Sequence, residues 1–327
     1  MVDTTVCLDG LHCSFSRNEV GRDFVIGDLH GDLVGLDLTL SMLDFDIRTD
    51  RLFCTGDLVD RGRNSYSVLS LVLLKPRPWL FSTLGNHEVM TYTSIAKNIN
   101  YFISRMFGSS GDLVYVNTAE DYEGLLQDDG IKFLFDMGIL PSFDEFIELK
   151  NRLLATNFYE PENGAELSHH LMNGGRWLFD LSLSQLGYVM KCISRMPLLI
   201  DVVGSDGDLV GIVHTDPPND WGSAVSYAKG LSINDLVEHK SPEANSMIWG
   251  RRVASLFNSD APVSPVSGVD RVYIGHTVMP EVSNPAGSNI HLIDTGYWRA
   301  NMDLWWIGKN KGLAYIDEVT TYNEIIL

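Results

Sequence analysis

Short apolar runs of β-like character recur along the chain and stop at Gly-Asp, Gly-Asn or a single His: DFVIGDLHGD, RLFCTGDLVDRG, WLFSTLGNHE, LVGIVHTDPP, VYIGHT and IHLIDTG. Runs this short and this uninterrupted read as strands buried on both faces. After the first, DLVGLDLTLSML puts Leu33, Leu36, Leu40 and Leu43 on one helical face, and SYSVLSLVLL follows the second in the same way. The pattern predicts β-α-β-α-β, hence an α/β fold whose chemistry sits at the carboxyl ends of strands.

From Ile95 to His170 the character changes to helical stretches such as IKFLFDMGI and SFDEFIELKNRLLA, separated by SSGDL, QDDG and PENGAE. This predicts one domain over 1–327 with a mostly helical cap inserted at 95–170. The Pro/Ser-rich segment 258–270 is expected to be a surface loop.

Composition narrows the function. The chain has 327 residues, 45% of them hydrophobic, enough for one large core. A net charge of -19 repels polyanions and excludes nucleic acid as a partner. The same field slows a phosphorylated substrate unless local cations reverse its sign. Apart from a loose pair near the N-terminus, Cys7, Cys13, Cys54 and Cys192 lack metal-ligand spacing and are expected to be buried or idle thiols. The N-terminus MVDTTVCLDG has no basic or apolar leader region, and no run of about 18 apolar residues occurs. A soluble, cytoplasmic protein with no membrane partner is expected.

The strand ends carry the candidate chemistry. Gly27-Asp28-Leu29-His30-Gly31 aims a carboxylate and an imidazole at one point. Gly56-Asp57-Leu58-Val59-Asp60-Arg61-Gly62 adds a carboxylate able to bridge two metals, a second acid and a guanidinium. Acids packed there without a cation would repel one another. Gly85-Asn86-His87-Glu88 offers a neutral oxygen and an imidazole on adjacent residues that point different ways. His214 and His276 complete two spheres of mixed oxygen and nitrogen donors, suited to Mn, Fe or Zn.

Taken together, GDLHG, GDLVDRG, GNHE, a strand-terminal His and GHT resemble the signature of the PPP-type metallophosphoesterases of the calcineurin-like superfamily. LMNGGRWLFD, MPLLIDVV, SMIWGRR and HLIDTGYWRANMDLWWI look like the branch of the bacteriophage lambda protein phosphatase and its bacterial relatives. The resemblance spans Phe24 to Met90 and Leu171 to Ile307. It implies a two-sheet β-sandwich flanked by helices. It makes Asp28 and His30 ligands of one divalent ion, Asp57 the bridge, and Asn86, His214 and His276 ligands of a second, with Mn2+ the expected metal. His87 becomes the general acid, oriented by Asp60, while Arg61 and Arg251 hold phosphoryl oxygens, with Arg252 as the alternative.

The implied reaction is direct attack of a metal-bridging hydroxide on phosphorus, in a Ser/Thr or dual-specificity protein phosphatase acting on a phosphorylated protein or small phosphoester. A diadenosine polyphosphate hydrolase uses the same core but reads GNHD in place of GNHE. A metal-stabilised scaffold is the non-enzymatic alternative. Two departures stand out: Asp32 follows GDLHG where relatives have Cys or Gln, and the 95–170 insertion exceeds that of the phage enzyme. His12, His169, His170, His239 and His291 are expected to be solvated or structural, and Trp249, Trp298, Trp305 and Trp306 to belong to the core.

Overall fold

The computed structural model describes residues 8–73, 79–109, 112–156, 159–298 and 313–315. Cys7, Trp305 and Trp306 lie outside these. The described strands are β1 (Leu8–Asp9), β2 (His12–Phe15), β3 (Asp23–Ile26), β4 (Arg51–Cys54), β5 (Leu80–Ser82), β6 (Leu199–Val203), β7 (Leu209–Val213), β8 (Arg271–Ile274), β9 (Ile290–Leu292) and β10 (Leu313–Tyr315).

They form two sheets, ordered β1-β2-β6-β7-β8-β9 and β10-β3-β4-β5. Strands β3, β4 and β5 run parallel, connected through helices Leu33–Met42 and Ser65–Ser70, as the β-α-β-α-β reading expects. Register explains the continuous apolar runs. Val25, Phe53 and Phe81 lie side by side across three strands and face Cys13, Phe15, Ile200, Val202, Val210, Ile212 and Tyr273 of the other sheet. Phe15 seats its ring edgewise on Phe53 and Phe81, with centroids 5.0 and 4.6 Å away. Alternate residues Phe24, Ile26, Leu52 and Cys54 are buried as well, so these strands are covered on both faces.

Helix Leu33–Met42 buries Leu36, Thr39 and, just beyond it, Leu43, while Leu33 and Leu40 are only half-buried. Asp32 is its N-cap, accepting the Gly35 N–H at 2.8 Å, which gives the unusual residue after GDLHG a local structural task. Segment 258–270 is irregular as expected but is not simply a surface loop. Val263, Val266 and Val269 are buried in it.

The chain divides into two compact units, 1–89 with 195–327, and Met90–Ser194. Described residues of the second unit form helices and no strand. IKFLFD of the first stretch lies in helix Asp129–Asp136, with MGI beyond its end, and all of SFDEFIELKNRLLA after Ser142 lies in helix Phe143–Thr156. Helix Asp129–Asp136 crosses Leu183–Ile193 at Gly130 and Gly187, where a Cβ on Gly187 would come 1.9 Å from the Gly130 carbonyl oxygen. His170 is buried between the Ser94 and Thr91 hydroxyls at 2.9 and 3.2 Å. His12 bonds Asp201, and His169 and His239 are exposed. Cys13, Cys54 and Cys192 are free and buried. No helix among the described residues is long and apolar enough to cross a membrane.

Candidate dinuclear metal centre

The loops after β3 and β4 are laced together by backbone hydrogen bonds. Leu29 and His30 donate to the Asp57 carbonyl, Gly31 donates to Leu58, and Gly62 donates to His30. Such tight turns force non-glycine residues into the left-handed region: His30 at φ 44°, Asp57 at 52°, Asp60 at 70° and Arg61 at 66°, with His276 at 67° after β8. Residues held there are strained, and the surrounding bonds maintain them. Glycines make room for the acids. A Cβ on Gly85 would lie 2.1 Å from Asp57 Oδ1, and one on Gly275 would lie 2.3 Å from Asp28 Oδ1.

Asp57 lies between two donor clusters. Its Oδ2 is 3.6 Å from His30 Nε2 and 3.8 Å from His87 Nε2, and its Oδ1 is 3.4 Å from His214 Nε2. His276 joins the His214 side. Asp28 Oδ2 stands 3.9 Å from His30 Nε2, and its carboxylate accepts the His276 backbone N–H at 3.0 Å. The first cluster thus draws in His87 more closely than Asp28, whereas Asp57 is common to both.

The hydrogen bonds set the tautomers. His30 Nδ1–H donates to the Val59 carbonyl at 2.9 Å and His214 Nδ1–H to the Thr55 carbonyl at 2.8 Å. Each ring therefore turns an Nε2 lone pair inward. His214 Nε2 faces Asn86 Oδ1 at 3.1 Å, so two lone pairs confront each other. His276 Nε2 is buried with no hydrogen-bond partner. This orphaned nitrogen, the facing lone pairs and two buried acids fit divalent cations with mixed oxygen and nitrogen ligands.

Electrostatics agree with that chemistry. Burial lowers the pKa of His30, His214 and His276, the last to about 3, keeping them neutral and able to ligate. Burial alone would raise Asp57, but His214, His87, His30 and His276 outweigh it and hold the carboxyl well below its ordinary value. Burial, then the charges of Asp294 and Asp57, push Asp28 well up, a shift that a divalent cation held between these acids would reverse.

His87 differs from the others. Its Nδ1–H donates to Asp60 Oδ2 at 2.7 Å, and Asp60 is fully buried. Burial would lower its pKa, but Asp57 and Asp60 reverse the sign and raise it. Arg61 donates from Nη1 to His30 Nε2 at 2.7 Å and from Nη2 to His87 Nε2 at 2.9 Å, placing its cation on two imidazole lone pairs. Arg251 is exposed and reaches Thr277 Oγ1 at 3.0 Å, next to His276. The neighbouring Arg252 uses its backbone N–H to bond Asp216.

Four residues outside the expected set of site residues support this geometry. Glu88 accepts the backbone N–H groups of Gly85, Asp57, Leu58 and Val59 at 2.8 to 3.3 Å. Asp216 accepts those of Arg252 and Val253 at 2.7 and 2.8 Å, aligning the turn that carries Arg251. Asp294 is buried beside Asp28, and burial raises it to about 6. Trp298 is buried as a core residue would be, yet its ring stands 4.5 Å from that of His30. The run IHLIDTG signalled Asp294 as another strand end. Asp216 and Trp298 fall within the stretches LVGIVHTDPP and HLIDTGYWRANMDLWWI, but neither is among the expected site residues.

A family model described as "Calcineurin-like phosphoesterase" matches residues 24–280. Over 273 residues the chain is 32% identical to serine/threonine-protein phosphatase 2 of Salmonella typhimurium, covering 84% of this chain and 86% of that one. A symmetrical bis(5'-nucleosyl)-tetraphosphatase of Yersinia enterocolitica is 41% identical over 78 residues, 23% of this chain and 26% of that one. Among solved structures, the cold-active protein-tyrosine phosphatase of a psychrophilic Shewanella superposes with a TM-score of 0.42 at 14% identity, covering 93% and 77% of the two chains. With its strand-end donors in place and its match running from β3 past His276, the chain belongs to the calcineurin-like phosphoesterase family and is a phosphoester hydrolase.

Proposed function

We propose that the protein is a metal-dependent Ser/Thr protein phosphatase, possessing a dinuclear centre in which Asp28, His30 and Asp57 hold one divalent ion and Asp57, Asn86, His214 and His276 hold the other. The observation that carries the centre is Asp57, whose two oxygens face different groups of imidazole nitrogens. The relative that carries the substrate class is the Salmonella phosphatase, similar over most of both chains, whereas the tetraphosphatase likeness covers about a quarter of each.

Divalent ions bound there would activate a water and neutralise phosphoryl charge. The chain's own residues do the rest. Arg61 and Arg251 bind phosphoryl oxygens through planar guanidinium forks. Asp60 orients His87 through Nδ1, leaving Nε2 to deliver a proton to the leaving oxygen. The left-handed backbone at Asp57, Asp60 and Arg61 keeps these groups pre-aligned, so little reorganisation accompanies the reaction. We further propose that 95–170 acts as an inserted cap that ranks substrates, and that Mn2+ is the working metal in a cytoplasmic protein.

The test is a chelated sample reconstituted with Mn2+ and offered p-nitrophenyl phosphate, phosphoSer and phosphoThr peptides and diadenosine tetraphosphate. The reading expects peptide dephosphorylation only after metal addition. Equal, negligible rates with and without metal would support a scaffold, and preference for the dinucleotide would move the protein to the nucleotide branch. A 95–166 deletion that hydrolyses the aryl phosphate with an unchanged substrate ranking would remove the cap proposal.

A further inference from the structure

Arg61 has a third contact besides the two imidazoles. Its guanidinium carbon lies 4.7 Å from the centre of the Trp298 ring, over the face. The same indole meets the His30 ring edgewise, at 4.5 Å and 70°. Trp298 is only 6% exposed, and the segment from Ile293 to Trp298 carries it from the end of β9 to the first donor cluster.

These contacts are not equivalent. The bonds from Arg61 to His30 and His87 use ring lone pairs, and these are the atoms assigned to ligation and proton transfer. An arginine that holds a phosphoryl group must turn its fork away from them. The Trp298 face involves neither the guanidinium N–H groups nor a lone pair of the centre. Attraction between a cation and an aromatic quadrupole therefore persists when the Nη donors leave the two imidazoles and turn to substrate.

We propose that Trp298 is a positioning residue for phosphate recognition: its indole is the plate on which Arg61 rests while the guanidinium fork engages the phosphoryl oxygens. This rests on the reading of Arg61 as a phosphate-holding residue. Pre-orienting Arg61 lowers the ordering cost of binding, so Trp298 acts on phosphate affinity without contacting phosphate.

The probe is inorganic phosphate, titrated calorimetrically into Mn2+-loaded protein and also used as an inhibitor of aryl phosphate hydrolysis. Wild type, Trp298→Phe, Trp298→Leu, Arg61→Ala and the Arg61→Ala/Trp298→Leu double variant are compared, with bound metal quantified in each. Phosphate affinity should fall in the order Trp, Phe, Leu, by about three- to tenfold for Leu, with KM for the aryl phosphate rising in the same order. In the Arg61→Ala background, Trp298→Leu should cost nothing further. Equal effects of Phe and Leu, or additive losses in the double variant, would reduce Trp298 to packing and overturn the proposal. Unchanged phosphate affinity in Arg61→Ala would instead remove the role given to Arg61, while a loss there with none in Trp298→Leu would sink the Trp298 proposal alone. Should Trp298→Leu not fold, phosphate-induced fluorescence decides. A change present in wild type and absent from both Trp298→Phe and Arg61→Ala supports the plate, and one that persists in Trp298→Phe overturns it.

Discussion

The Glu88 carboxylate accepts the backbone N–H of Asp57 at 2.9 Å, so the acid common to both donor clusters is held in place by a side chain outside them. Three more amides converge on the same carboxylate. Glu88→Gln keeps the volume but turns an NH2 group toward N–H donors. Leaving buried donors unsatisfied costs about 1–3 kcal/mol. Denaturant unfolding should show a loss of that order, and elemental analysis a lower Mn2+ content. Wild-type values for both would mean that the clamp does not position Asp57.

Replacing Asp57 and His87 separates ligation from proton transfer. Asp57→Asn should weaken binding at both positions, because its oxygens face two clusters. His87→Asn should retain metal and lose turnover by about 10²- to 10⁴-fold, the usual contribution of a general acid. Metal loss from the His87 variant would mean that Asn86 and His87 have exchanged roles.

Gly85→Ala tests the room left for Asp57. The added methyl would sit 2.1 Å from Asp57 Oδ1 and 2.5 Å from the Asp57 backbone nitrogen, so the loop must shift. Activity and metal content should fall together while circular dichroism remains that of a folded protein. A fully active Gly85→Ala would show that the loop adapts without disturbing the centre.

His291 supplies a pH signature unrelated to catalysis. Its ring stacks on Tyr273 at 5.0 Å, and burial, with the Arg271 charge, lowers its pKa from 6.5 to about 4. The unfolded chain takes up this proton as pH falls through 6.5, whereas the folded chain does so only near 4. This contribution to stability is therefore complete above pH 6.5 and is lost progressively down to about 4. Unfolding curves of wild type and His291→Gln should converge or cross as pH falls through that window. Parallel stability profiles would exclude the linkage.

The sequence by itself determined the strand ends and the donor types. GDLHG, GDLVDRG and GNHE each place acids and imidazoles within a few residues of a buried strand, and alternation of side chains along that strand is a local property. The parallel β3-β4-β5 sheet follows from the same signal, because an apolar run followed by a helical stripe has few other ways to bury itself. Only the tertiary structure decided which residues serve those donors. Glu88 looked like one letter of a motif and proves to bind four backbone amides. Asp216 and Arg252, and Trp298 and Arg61, are distant in sequence and meet only in the folded structure. Such contacts leave no periodicity in the chain, since they depend on where separate strands end relative to one another. Trp298 shows the difference most directly: its composition and neighbours make it a core residue, and its position after β9 makes it the surface against which Arg61 lies.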